Sequence, residues 1–296
     1  MLIHGGQSPP YCLDPRKVLF MSRVLFFVYG MACYLLFFVV YAWLAGFVGN
    51  LVVPKTIDGP AGSESALAAA AINVLLLLVF AAQHSVMARP AFKRVWTRIV
   101  PQPIERSTYV LASCLVVVLL VWQWRPIPIV IWQAEHPVAW AIGMSLFAAG
   151  WLAVPLISLM ISHFDLFGAR QVWLHLRGKP YTSLPFRTPL AYAVVRHPLY
   201  LGWALAFWAT PTMTVGHLLF AGGLTVYMAL AARVEERDLI GAFGEKYEDY
   251  RRRVPMFVPR WICGWTDSRQ TRTASAARDG AESSASMAWM EDETWR

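Results

Sequence analysis

The stretch VLFFVYGMACYLLFFVVYAWLAGF at residues 24–47 contains no charged side chain. It begins a charge-free run of 31 residues, 24–54, which exceeds the roughly 20 residues that a helix needs to cross the hydrocarbon core of a membrane. The run is too long for the apolar region of a signal peptide, and no cleavage site of small residues follows it. We therefore predict that residues 24–47 form a membrane-spanning helix of the mature protein.

Four more charge-free stretches follow. Residues 66–87, 107–124 and 137–162 each predict one crossing. The last stretch, residues 197–232, is interrupted at 211–216 by Pro-Thr-Met-Thr-Val-Gly, which indicates a turn between two short helices of about 16 residues, or about 24 Å each. Arms of that length predict a hairpin that crosses a thinned region or stops short of the far side.

The composition of the 296-residue chain agrees with a membrane protein. Its residues are 57% hydrophobic and 15% charged, and its mean hydropathy is +0.45. One compact core would not hide this many apolar side chains from water, so the composition excludes a soluble globular protein. The fold class that we predict is an all-α polytopic membrane bundle of four spans, a short C-terminal helical hairpin and a cytosolic amphipathic helix.

The positive charges predict the orientation of this bundle. Of the 26 Lys and Arg, only Lys55 and Arg125 fall in the loops after the first and third spans. By the positive-inside tendency, both termini and the loops after the second and fourth spans are cytoplasmic, in a multi-pass protein of the bacterial inner membrane. This asymmetry accounts for the net charge of +8 without a nucleic-acid partner. Membrane lipids are the expected surroundings, and no obligate protein partner is indicated.

Composition also divides the chain into regions. We predict a cytosolic N-terminus at 1–23, four spans within 24–162, a functional core at 163–263 and a disordered tail at 264–296. After Val234, apolar residues recur at helical spacing among charged ones, which predicts a cytosolic helix under the bundle. The apolar positions of that helix are Leu239, Ile240, Phe243, Tyr247 and Tyr250.

Charged and polar side chains cluster at three places, which the topology puts at the cytoplasmic rim. The first is Arg196-His197-Pro198 with Tyr200, at the start of the hairpin, and the second is residues 233–237 at its end, with two adjacent glutamates. Because the two arms end at the same depth, we expect the second cluster to meet the first. Alternatively, Arg196 snorkels to lipid headgroups, His197 caps a helix, and the acids belong to an ion-paired interfacial belt.

The third cluster follows the fourth span and contains His163, Asp165, Arg170 and Gln171. These residues would form a second wall of the same pocket, although a single histidine is more often structural than catalytic. Three polar residues in the second span, Asn73, Gln83 and His84, predict hydrogen bonds between helices.

Several common sites are absent from the sequence. The four cysteines (Cys12, Cys33, Cys114 and Cys263) have no paired spacing, so neither a disulfide framework nor a zinc or other metal site is indicated. No Gly-x-Gly-x-x-Gly, P-loop, His-Glu-x-x-His or Gly-x-Ser-x-Gly motif occurs. A soluble nucleotide-binding domain is therefore not expected.

The residues 196–202 (RHPLYLG), followed after the hairpin by Glu235-Glu236 and a run ending at Val254-Pro255, resemble the C-terminal signature of the isoprenylcysteine carboxyl methyltransferase superfamily. Residues 163–178 and 180–187 resemble the branch that contains small-thiol methyltransferases and nitric-oxide-reductase-associated membrane proteins. This resemblance extends over most of the chain. It implies an integral membrane enzyme that uses S-adenosylmethionine.

The resemblance implies that Arg196, His197, Tyr200, Glu235 and Glu236 contact the cofactor, and we add Gln171 as a cofactor-binding candidate. It also implies direct in-line methyl transfer to a small-molecule thiol, methanethiol, giving dimethyl sulfide. Such a thiol is mostly protonated at neutral pH, so the reaction needs a proton acceptor or an anion stabiliser. Our catalytic candidates are His163 as the base, Asp165 orienting it, and Arg170 or Arg196 stabilising the anion.

Two alternatives remain open at the level of sequence. One is methylation of a lipid-borne substrate, such as a prenylcysteine carboxylate or a phospholipid amine, through an opening between helices. The other is a nonenzymatic membrane factor or a transporter, for which charges buried within the spans would be expected. The charge-free spans favour an enzyme whose cofactor enters at the rim.

Overall fold

The computed structural model describes residues 15–259, with side chains from residue 20, and this part of the chain is mostly helical. The helices are α1 Pro15–Val48, α2 Ala66–Ala88, α3 Pro90–Trp96, α4 Gln102–Gln123, α5 Pro137–Ile161, α6 His163–Leu166, α7 Ala169–Leu176, α8 Ala191–Val194, α9 Pro198–Trp208, α10 Val215–Phe243 and α11 Glu245–Arg253. The strands are β1 Val130–Gln133 and β2 Thr212–Thr214. The predicted tail at 264–296, Cys12, Cys263 and residues 1–14 lie outside the described residues.

Within the described residues, five helices are long and apolar enough to cross a membrane: Phe20–Val48, Ala66–Ala88, Gln102–Gln123, Pro137–Ile161 and Val215–Phe243. The all-α, multi-pass prediction is therefore confirmed. The first four agree with the predicted spans to within a few residues, since an uninterrupted apolar stretch favours one long helix. We call the end of the bundle with α3, α6–α8 and α11 the basic face, and the other end the opposite face.

The predicted hairpin with two equal arms is wrong. Its first arm, α9, has only 11 residues, about 16 Å of helix, and residues 209–214 continue toward the opposite face without helix. The second arm, α10, has 29 residues and continues past Ala232 to Phe243. The predicted cytosolic helix after Val234 is thus the end of α10 followed by α11. The helix is interrupted between them at Gly244, where φ is +57°.

The antiparallel ribbon of β1 and β2 on the opposite face was not predicted. Val130 pairs with Thr214 and Gln133 with Thr212, at separations of 84 and 79 residues along the chain. Both strands are very short, and pairing between distant segments leaves no periodic signal in either of them. The ribbon joins the loop after α4 to the turn between α9 and α10.

Helix α5 packs closely on α9. A Cβ at Gly150 would lie 2.4 Å from the Ala206 backbone nitrogen, so only glycine permits this approach. One turn further along α5, Pro155 has no N–H to donate to the Trp151 carbonyl. The Tyr41 hydroxyl of α1 donates to that carbonyl at 2.5 Å and replaces the missing helical hydrogen bond. This contact fixes α1 against α5.

Of the predicted hydrogen bonds between helices from α2, those of Gln83 and His84 are confirmed, whereas Asn73 bonds to the loop that follows α4. Asn73 Nδ2 donates to the Arg125 carbonyl at 2.6 Å, and the Arg125 N–H donates to Asn73 Oδ1 at 2.8 Å. Gln83 and His84 both contact Ser113 of α4 at 3.3 Å. These contacts pair most of the polar atoms concerned, whereas Gln83 Oε1 is buried without a hydrogen-bond partner among the described residues.

On the opposite face, Asp58 joins the loop after α1 to the start of α10. Its carboxylate accepts from Thr214 Oγ1 at 2.5 Å and from Asn50 Nδ2 at 2.7 Å, and it lies 3.3 Å from His217 Nδ1. Burial alone would raise the pKa of Asp58, but the hydrogen bonds from His217, Thr214 and Asn50 outweigh it and lower the pKa. The carboxylate is therefore held in its charged form.

Candidate functional site

Residues 195–197 connect α8 to α9 and pair with the chain that follows α11. The Arg196 N–H donates to the Pro255 carbonyl at 2.9 Å, and the His197 N–H donates to the Met256 carbonyl at 3.2 Å. Helix α9 then begins at Pro198, as the fixed φ of proline favours at a first helical position. This pairing places both side chains at the basic face.

Glu236 of α10 is the centre of an ionic group. Its Oε1 accepts from Arg196 Nε at 2.6 Å and from His197 Nε2 at 3.1 Å. Arg196 Nη1 also donates to the carbonyl oxygens of Val254 and Arg251. Only 5% of Glu236 and 6% of His197 is exposed, so these two side chains are buried beneath the rim rather than in an exposed belt. The ion pair of Arg196 and Glu236 is costly to break, because each partner neutralises the buried charge of the other.

Glu235 is the exposed counterpart of Glu236. It accepts from the Tyr200 hydroxyl at 3.0 Å and lies 3.8 Å from His197 Nδ1, and its side chain is 47% exposed. The rings of His197 and Tyr200 stack with their centroids 5.3 Å apart. Glu235 is therefore the carboxylate of this group that is accessible from outside. We call these five residues, Arg196, His197, Tyr200, Glu235 and Glu236, the rim group.

Helix α11 closes the rim group from the side. Tyr247 and Tyr250 are buried and pack around the ring of Phe186, which comes from the segment between α7 and α8. Burial raises the pKa of Tyr250 to about 12, so its hydroxyl stays protonated and donates to the Tyr192 carbonyl at 2.5 Å. The structure therefore places both tyrosines in packing positions.

Asp165, Arg170 and Gln171 form a second polar group. Arg170 donates to Asp165 Oδ1 at 3.0 Å and, through two nitrogens, to the carbonyl and hydroxyl of Thr182. Gln171 Nε2 donates to the Asp165 carbonyl at 3.1 Å, and Tyr181 donates to Asp165 Oδ2 at 3.2 Å. Burial and the nearby Asp165 carboxylate raise the pKa of Tyr181. These hydrogen bonds hold Tyr181 and Thr182, near the start of the segment between α7 and α8. The other end of that segment lies near the rim group.

Gln171 retains one unpaired polar atom. Its Oε1 is buried and has no hydrogen-bond partner among the described residues. An unpaired buried acceptor costs about 1–3 kcal/mol, so a ligand that supplies a donor there would be favoured. Within residues 15–259, no three His, Cys, Asp or Glu side chains form a group that could hold a metal ion.

His163 belongs to neither polar group. Its Nε2 is 2.8 Å from the Tyr34 hydroxyl, and its Nδ1 is 2.7 Å from Ser158 Oγ. Both ring nitrogens are thus occupied by α1 and α5. The predicted orientation of His163 by Asp165 is corrected, because the Asp165 side chain bonds to Arg170, Gln171 and Tyr181 instead.

The structure brings the five residues of the rim group together, as the equal depth of the arm ends predicted. It holds Asp165, Arg170 and Gln171 in a separate hydrogen-bonded group, linked to the rim group through the segment that carries Phe186. Sequence reasoning missed Tyr34, Ser158, Tyr181 and Thr182. Pro155 inside a predicted span was a usable signal, because a proline there requires nearby polar groups to satisfy the backbone.

These features define a multi-pass helical membrane protein with a compact Arg-His-Tyr-Glu site at one rim. The chain is 51% identical over 240 residues, 81% of its length, to methanethiol S-methyltransferase of Crocosphaera subtropica, of which 94% is covered. It is 52% identical over 243 residues to the protein of that name from Mycobacterium tuberculosis, of which 98% is covered. The chain therefore belongs to the methanethiol S-methyltransferase family.

More distant similarity extends to human Nurim, which is 33% identical over 186 residues, 60% of this chain and 70% of Nurim. No family model matches the sequence, and no solved structure matches it. The names of the first two relatives indicate a methyltransferase.

Proposed function

We propose that the chain is an S-adenosylmethionine-dependent methyltransferase that converts methanethiol to dimethyl sulfide. The observation that carries this proposal is the rim group, in a chain about half identical to proteins named methanethiol S-methyltransferase. With S-adenosylmethionine held at the rim group, its methyl group would be supplied directly to the thiolate sulfur, and the electron pair of the broken carbon–sulfonium bond would remain on S-adenosylhomocysteine. The polar side chains bind and orient the reactants, and the helices around them exclude water.

The residues present fit S-adenosylmethionine, which supplies an electrophilic methyl group when bound. The cofactor has an ammonium, a carboxylate and a ribose diol beside its sulfonium. Glu235 provides an exposed acceptor for the cation or the diol, and Arg196 provides a cation for the carboxylate. The unpaired Oε1 of Gln171 accepts a further donor. The same residues do not require a metal ion.

We also propose that the basic face is cytoplasmic, in a bacterial inner membrane. Lys55 and Arg125 lie on the opposite face, whereas the other positively charged residues of the described chain lie at the basic face. The rim group then opens to the compartment in which S-adenosylmethionine is made. Small thiols and membrane lipids are the expected partners, without a nucleic acid or an obligate protein.

The test supplies membranes containing the protein with methyl-labelled S-adenosylmethionine and separate acceptors: methanethiol, a prenylcysteine and a phospholipid amine. We expect labelled dimethyl sulfide in the headspace and no labelled lipid. Label in the prenylcysteine or the lipid would replace the proposal with methylation of a lipid-borne substrate. No label in any acceptor, while the cofactor fails to bind, would support a nonenzymatic membrane protein.

A further inference from the structure

Helix α7 packs antiparallel against the start of α1 at the basic face. Gly30 approaches Val172 so closely that a Cβ on the glycine would lie 2.6 Å from a valine methyl carbon. One turn earlier on α1, the ring of Phe26 stacks on that of His175 with centroids 5.4 Å apart. The end of α7 therefore lies beside the first turn of the candidate span Phe20–Val48. At this depth the hydrocarbon of a membrane meets the lipid headgroups.

Arg23 lies at the junction of these two helix ends. Its guanidinium is against Gly178, where a Cβ would be 2.9 Å from Arg23 Nη1. Gly178 has a φ of +66°, so glycine both permits the turn after α7 and leaves room for the guanidinium. Arg23 Nε is buried and has no hydrogen-bond partner among the described residues. Leaving a charged donor unpaired is costly, so a ligand that supplies an acceptor there would be favoured.

The positive charge of Arg23 is not neutralised by the described residues. Neither α1 nor α7 contains an Asp or Glu, and none of the ion pairs between described side chains includes Arg23. The last carbonyls of α7 accept from the backbone N–H groups of Arg177, Gly178 and Lys179. Burial and the Arg23 cation lower the pKa of His175, so that ring is neutral at pH 7. The junction therefore attracts an anion.

The turn after α7 adds two cations and an aromatic ring to this junction. Arg177 and Lys179 flank Gly178 in the sequence, and both side chains are exposed. The Arg177 guanidinium lies 5.5 Å from the centre of the Trp173 ring, which is also exposed. Tryptophan is enriched at the headgroup level of membranes, and basic residues between helices at that level bind anionic headgroups.

The neighbouring surface of α1 suits the acyl chains of a lipid. Phe20, Met21 and Leu25 are apolar and exposed, and they lie within one turn of Arg23 on the same helix. An anion held at Arg23 is therefore next to a surface that a hydrocarbon chain covers favourably. This combination favours a lipid over a soluble anion.

We propose that Arg23, Arg177 and Lys179 bind the headgroup of an anionic phospholipid. The phosphate accepts from Arg23 Nε, and the acyl chains lie along the exposed apolar side chains of α1. Guanidinium groups match the geometry of phosphate oxygens and keep their charge at this depth. The site is formed by α1 and α7 and uses no residue of the rim group, so it does not depend on the proposed function.

The test titrates the full chain in detergent with phosphatidylglycerol and counts bound lipid by native mass spectrometry. Arg23→Gln removes one charge-assisted hydrogen bond, so Kd should rise about tenfold. Arg177→Gln changes an exposed side chain and should raise Kd about threefold. Arg94→Gln, an exposed arginine of α3 at the same face, is the matched control and should keep the wild-type Kd. Phosphatidylcholine, whose headgroup has no net charge, should bind the wild type about tenfold more weakly.

Thermal unfolding of the same samples verifies that each variant is folded. If Arg23→Gln does not fold, the comparison of Arg177→Gln with Arg94→Gln decides. A wild-type Kd in the folded variants at Arg23 and Arg177 would overturn the site, and so would an equal rise in Arg94→Gln, because the effect would then depend only on total charge. Equal affinity for phosphatidylcholine would overturn the choice of an anionic lipid. Displacement of phosphatidylglycerol by an equal concentration of inorganic phosphate would assign the site to a soluble anion instead.

Discussion

Two adjacent glutamates of α10 differ in environment, and this difference determines what each does. Glu236 is buried against Arg196 and His197, whereas the Glu235 side chain is 47% exposed and bonds to Tyr200. A buried carboxylate with two donors organises its neighbours. An exposed one remains free to receive a ligand.

We expect Glu235→Gln to weaken binding of S-adenosylmethionine without a change in thermal stability. A hydrogen bond to a charged group contributes about 1.5–3 kcal/mol, so Kd should rise at least about tenfold. Titration calorimetry in detergent measures the change. Glu245→Gln, an exposed carboxylate at the start of α11, is the control and should bind as the wild type does. Equal affinities in the two variants would remove Glu235 from the proposed cofactor site.

Arg196→Ala should destabilise the folded protein, because it leaves the Glu236 carboxylate buried without its cation. Breaking a buried pair from one side costs about 3–5 kcal/mol. Adding Glu236→Gln to Arg196→Ala should recover part of this loss, because the uncompensated charge is then gone. Thermal unfolding in detergent gives the order, with Arg251→Ala as an exposed control. A wild-type midpoint for Arg196→Ala would show that the pair does not stabilise the fold.

At the scale of the elements, long helices were predictable and their continuations were not. Charge-free stretches identify α1, α2, α4 and α5 because lipid excludes charge along a whole span. The change from apolar to amphipathic composition near Arg233 suggested that one helix ends there and another begins. Helix α10 is continuous through this position, because both compositions favour helix, and it ends only at Gly244.

Elements on the opposite face are held together by Asp58, and acid should release them. The folded pKa of Asp58 is lowered below the unfolded value of about 3.9, so its contribution is complete above that pH and is lost as pH falls through the folded pKa. Asp58→Asn should therefore lower the free energy of unfolding at neutral pH by about 1.5–3 kcal/mol. This loss is measured as a lower unfolding midpoint. The difference between the variant and the wild type should shrink as pH falls below the unfolded pKa of about 3.9. A difference that begins to shrink well above that pH, or that does not shrink at all under acid, would contradict the assignment.

At the scale of the whole molecule, the sequence located the rim group but not the surroundings of His163. The rim group follows from one short connection, because two arms joined by a turn end beside each other. The Tyr34–His163 and Ser158–His163 contacts depend on how α1 and α5 pack, which no local pattern encodes. The same limit applies to the ribbon, in which β1 and β2 meet only after the bundle has assembled.

The distribution of Lys and Arg over the two faces makes the last prediction, which concerns the orientation of the molecule. Reporters of compartment fused after Arg98, Arg187 or Arg260 should report cytoplasm, and one fused near Gly59 should report the other side. Replacing Lys55 and Arg125 by Gln should leave this pattern unchanged, because the basic face keeps its excess of positive charge. The reversed pattern would place the rim group away from the compartment that makes S-adenosylmethionine, and the proposed cofactor site would then have no supply.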